Sequence, residues 1–88
     1  MSGLEAHAAF LAQSWGTLSQ AFPPVDFEAE TAAFERWAQD TAAALMREDP
    51  DLKTLPPKAF WSALIEAAAS SGLSARAGES LRRRLAAL

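Results

Sequence analysis

The chain reads as an all-α protein, and three observations carry that reading. Twenty-one of its 88 residues are alanine, only six are β-branched, and apolar side chains recur at intervals of three and four along most of its length. Alanine loses no rotamer freedom on entering a helix, whereas valine, isoleucine and threonine suit a pleated sheet. Residues 1–88 are expected to make a single helical domain, and one this small hides only about 60 to 65% of the surface its unfolded chain exposes. Eight aromatics (Phe10, Trp15, Phe22, Phe27, Phe34, Trp37, Phe60 and Trp61) strengthen so thin a core, each able to bury about 150 to 250 Å². The expected architecture is a small four-helix bundle. Two long antiparallel N-terminal helices come first, followed by two shorter C-terminal helices that meet in an αα-corner.

The first helix is expected over about residues 3–22, where Leu4, Ala8, Leu11, Trp15, Leu18 and Phe22 are spaced 4, 3, 4, 3 and 4 apart. Such a stripe holds one helix face against a neighbour. Gly16 lies inside it at a cost of about 1 kcal/mol relative to alanine, which points to a close backbone contact beside Trp15. Pro23 and Pro24 end the helix, because proline lacks an amide hydrogen and forces its predecessor out of the helical region. Asp26 caps the second helix, expected over about 27–47, with Phe27, Phe34, Trp37, Ala38, Thr41 and Leu45 facing inward. A connection this short makes the first two helices antiparallel neighbours.

Residues 49–57 carry three prolines and two aspartates, and read as a loop with room for one helical turn after Asp49. Leu52 and Leu55 pin it to the core. A third helix is expected over about 57–70, begun by Pro57, whose missing amide hydrogen forfeits no bond in the first turn. Gly72 ends it in a left-handed conformation and Ser74 caps the fourth helix, which runs to about residue 87 with Leu81, Leu85 and Leu88 on one side.

The residue inventory argues against an enzyme. One histidine, no cysteine and acids scattered over polar helix faces leave no assembled acid–base, thiol or metal chemistry. His7 has no ligand-bearing residue three or four positions away, so no metal site is expected, and no cofactor or small-molecule substrate either. Glu28 and Glu35 share a face with Glu30 nearby and read as a solvated surface. The absence of cysteine points to a reducing cytoplasm. The first residues lack the basic region of a signal peptide, and no stretch approaches the roughly 20 apolar residues of a membrane span. A helix lying on a membrane is disfavoured too, since the polar side of the first helix carries Glu5, Gln13 and Ser14 in place of basic residues.

Net charge is divided along the chain. Residues 1–71 hold four basic and ten acidic side chains, a balance of −6, whereas residues 72–88 hold four arginines and one glutamate, a balance of +3. Two binding roles follow. In the leading one the chain binds another protein or a second copy of itself, as a regulator, inhibitor or assembly adaptor. Its contact is the third helix, which is apolar around most of its circumference. Residues Phe60, Trp61, Leu64 and Ile65 are the expected contact, because an 88-residue bundle has trouble surrounding any one helix. Glu28, Glu30, Glu35 and Asp40 would steer a basic partner to the second helix.

In the alternative role residues 64–88 bind DNA. Ala68-Ala69-Ser70-Ser71-Gly72-Leu73-Ser74, followed by Leu81 and Leu85, resembles the tight turn of a helix-turn-helix, which would place Arg76 at the exposed start of the following helix. Arg82, Arg83 and Arg84 would add phosphate contacts. Gly78 and Ser71 depart from that motif, each standing where it carries an apolar residue. An acidic chain with four arginines at one end also supports few phosphate contacts.

Overall fold

A computed structural model describes residues 3–21 and 26–87, whose regular elements are all helical, with no strand among them. A 3₁₀ turn at Leu4–His7 leads into α1 (Ala8–Ser19); α2 (Phe27–Glu48), a second 3₁₀ turn (Pro50–Thr54), α3 (Pro57–Ser70) and α4 (Ala75–Ala86) follow. Helix α1 ends at Ser19, with Gln20 and Ala21 in a turn, short of the end expected at Phe22; Phe22, Pro23, Pro24 and Leu88 themselves lie outside the described residues.

Local chemistry fixes the helix ends. The Asp26 carboxylate accepts from the Ala29 amide at 3.0 Å and caps α2. Asp49 accepts from the Asp51 amide at 3.2 Å and opens the short turn whose Leu52 is buried, while Leu55 packs at the core margin. At the α3–α4 corner Gly72 takes a φ of +121°, a region that side-chain-bearing residues avoid. The Leu73 amide then reaches back to the Ala68 carbonyl at 2.9 Å, closing a Schellman-type end, and the Ser74 hydroxyl accepts from Ala77 at 3.2 Å.

The core is aromatic at its centre. Trp15 meets Phe34 and Trp37 edge to face, with centroids 5.6 and 5.2 Å apart, and Trp61 lies 6.2 Å from Phe34. These rings stand between α1 and α2 and join them through side chains, while the backbone of α1 comes close to that of α3. Helix α4 packs on both α3 and α2. Gly16 faces the end of α3, where an added methyl would sit 3.6 Å from the Ser71 Cβ. That is ordinary van der Waals distance, so the contact expected at Gly16 is looser than one that excludes alanine. The α-helical part of the first element is also shorter than its periodicity implies, because residues 4–7 wind as a 3₁₀ turn.

The third helix requires a correction. Phe60, Leu64 and Ile65 are 5%, 1% and 1% exposed and belong to the chain's own core, so they offer no contact surface. Trp61 is half-buried and packs against the core at Phe34. The reason is arithmetic of side-chain size. Most of the apolar circumference of α3 is alanine, and Ala59 and Ala69 stand in solvent at little cost, which leaves one bulky face to cover. A radius of gyration of 12.5 Å matches the roughly 12 Å of a self-contained domain this long.

Candidate functional site

One apolar surface left uncovered lies between α1 and α2. Phe10 is 58% exposed and is the one large hydrophobic side chain in solvent among the described residues. Beside it runs an open groove of about 650 Å³, walled on the α1 side by Phe10, Ser14 and Leu18. Its α2 side is mostly small: Ala29, Ala32, Ala33, Thr41 and Ala44 line it with Trp37, and Arg36 and Asp40 stand along it. The groove exists because the ring cluster holds the two backbones apart while alanines fail to fill the gap that remains. Its floor is fixed, since the Trp37 indole donates to the Ser14 hydroxyl at 3.1 Å.

Charges on this surface are unlike those elsewhere. Arg82 pairs with Glu66 at 2.7 Å, Arg83 with Glu79 at 3.1 Å, and Arg84 with Glu35. The Arg76 guanidinium lies 5.4 Å from the Phe27 ring centroid, and Arg47 donates to the Ala43 carbonyl. Arg36 is therefore the one arginine among the described residues whose side chain has no partner in the chain. Asp40, one turn further along α2, also lacks one, although the pair stands at the spacing where opposite charges meet on a helix.

The arginine-rich end is arranged differently from what phosphate binding asks. All four C-terminal arginines engage the chain's own acids or ring, and the start of α4 is occupied by a carboxylate. Glu30, 8% exposed, accepts from the Ser74 backbone amide at 2.6 Å. That acid satisfies an orphan amide and sits at the positive end of the helix dipole, where a DNA phosphate would otherwise dock. Glu30 and Glu35 thus leave the acidic surface expected on the second helix, and only Glu28 and Asp40 of that set remain free of such contacts.

Two further placements escape sequence reasoning. His7 Nε2 lies 3.9 Å from an Asp49 carboxylate oxygen, tying the N-terminal turn to the end of α2. Phe10 carries a signal that was there to find: it falls off the Leu4–Leu11–Trp15–Leu18 stripe, among polar neighbours Gln13, Ser14 and Thr17 on the following turns. No group of three or more His, Cys, Asp or Glu side chains comes together among the described residues. No described helix is long and apolar enough to cross a membrane. Compared with known proteins, the chain matches no family model, no curated protein and no solved structure.

Proposed function

We propose that this chain is a non-catalytic protein-interaction module whose contact surface is the groove between α1 and α2, with Phe10 as its anchor. The observation that carries the reading is the exposure of Phe10 beside an apolar groove, where the other large hydrophobic side chains among the described residues are buried or half-buried. Aromatic anchors beside unpaired arginines are the residues that supply binding hot spots, because they bring area and fixed hydrogen-bonding geometry at low entropic cost. In the same reading α1 and α2 run antiparallel on either side of the ring cluster, and α3 and α4 form an αα-corner that supports them. The contact passes from the third helix to the first and second.

The DNA-binding alternative is weaker. Its turn has a suitable shape, but shape is shared by many helix corners; Arg82, Arg83 and Arg84 are paired with Glu66, Glu79 and Glu35, and Arg76 lies over the Phe27 ring.

A photoreactive amino acid at Ala32 in the groove, with one at exposed Glu79 as control, tests the interaction reading in living cells. Adducts with a protein at position 32, scarce at position 79 and diminished by Phe10→Ser, are the expected outcome. Equal labelling at the two positions, or none at position 32, would remove the groove from consideration.

A further inference from the structure

The groove carries its own indication of what covers it. Arg36 and Asp40 stand one helical turn apart on the same surface, opposite in sign, exposed and without a side-chain partner. A face with one positive and one negative group at a fixed spacing is complementary to itself when rotated by half a turn, since each charge then meets its opposite twice over. We propose that the occupant of the groove is a second copy of this chain, docked α2 against α2 in antiparallel fashion about a two-fold axis between Arg36 and Asp40. The proposal rests on the reading of the groove as a protein-binding surface and names its partner.

Three features of that arrangement follow from one register. Setting Arg36 against Asp40 of the second copy sets Ala32 against Ala44, so small side chains face each other on either side of the crossed charge pairs and let the two helices lie close along their length. Phe10 protrudes on the same surface as the hollow, and an isologous contact uses a projection and a recess of one chain together. The crossed pairs flank the two-fold axis, where they fix register and orientation more than they add affinity. Burying Phe10 twice over supplies the attraction.

Sedimentation equilibrium across about 1 to 500 μM protein reads the association directly. The parent chain is expected to dimerise in that range, and Arg36→Asp and Asp40→Arg, both on solvent-exposed positions, to weaken the dimer at least about tenfold by placing like charges opposite each other. The decisive sample is their equimolar mixture. One chain then carries two positive groups and the other two negative ones, so a heterodimer regains both crossed pairs and forms about as tightly as the parent. The double variant R36D/D40R, with the signs exchanged within one chain, also dimerises like the parent. A parent that stays monomeric throughout, a dimer indifferent to the single reversals, or a mixture that fails to recover would each overturn the second-copy inference. A monomer that still gives Phe10-dependent adducts with a foreign protein at position 32 removes the second copy and keeps the protein-binding reading. A monomer with no such adduct removes both.

Discussion

Replacing Glu30 measures how strongly α2 holds α4. Its carboxylate accepts from the Ser74 amide at 2.6 Å while 8% exposed, so Glu30→Ala strips an acceptor from a shielded donor at the start of a helix. A hydrogen bond to a charged group contributes about 1.5 to 3 kcal/mol, and favourable placement of the charge at the helix terminus adds about 0.3 to 1 kcal/mol. Against this stands the cost of keeping a carboxylate largely out of water, together with the ability of a water molecule to enter the vacated space and meet the amide. The expected net loss is about 2 kcal/mol for Glu30→Ala. Glu30→Gln retains an acceptor oxygen and loses the charge, and should fall between the two at about 1 kcal/mol. In a domain of this size 1 kcal/mol moves the melting temperature by about 4 to 8 °C, so melts followed by far-UV circular dichroism separate the three proteins. If Glu30→Ala melts within about 3 °C of the parent, or Glu30→Gln melts above it, the carboxylate does not clamp the corner.

The two glycines flanking that corner should respond in opposite senses. Gly72→Ala forces a side chain into a φ of +121° and costs about 1 to 2 kcal/mol, while Gly78→Ala, whose new methyl would lie 3.7 Å from Leu73 Cδ2, gains up to about 1 kcal/mol; urea titrations give both numbers. Trp15→Ala opens the centre of the ring cluster and should cost about 3 to 5 kcal/mol, whereas Phe10→Ser, at a 58% exposed position, should change stability by no more than about 0.5 kcal/mol. A large loss from Phe10→Ser would reassign that ring from a contact to a structural role. Fluorescence anisotropy with labelled duplex DNA at about 50 mM salt should show no saturable binding at tens of micromolar protein. Tight binding that fades steeply with salt and vanishes when Arg76, Arg82, Arg83 and Arg84 are replaced by alanine would restore the nucleic-acid reading.

The starts of α2, α3 and α4 and the end of α3 were legible because they are set by residues acting on their immediate neighbours, whereas α1 is shorter at both ends than its period implies. Asp26 caps three residues ahead, Ser74 does the same, Gly72 supplies the positive φ itself, and Pro57 begins its helix by lacking a donor. None of these needs knowledge of the rest of the fold. The tertiary contacts were not legible, since each joins side chains far apart in the chain. Glu30 reaches Ser74 across 44 positions and Arg84 reaches Glu35 across 49, and nothing in the local pattern distinguishes those acids from Glu28 beside them. The aromatic stripe on α1 and the inward face of α2 were readable from their period. That the rings would meet between the helices and hold the backbones apart was not, because it depends on the third dimension of packing.

The burial of a helix expected to be too apolar to enclose has a single physical origin, and it bears on how the groove came to be open. Counting apolar residues around α3 treats alanine as though it demanded burial, yet exposing one methyl forgoes little of the roughly 25 cal/mol gained per Å² of apolar surface removed from water. Weighted by area, the helix presents one demanding face, Phe60, Leu64, Ile65 and Ala68, and the chain covers it. The same weighting applied to α2 has the reverse consequence. Alanines on its outer side take up so little room that, beside rings as large as Trp15 and Trp37, a hollow is left, with Phe10 standing over it. The bulky face of α3 is therefore hidden while an alanine face of α2 is left open. A surface built from methyl groups is weakly attractive for water exclusion by itself, so the proposed contact would draw its specificity from the larger groups along the groove, Phe10, Leu18, Trp37, Arg36 and Asp40.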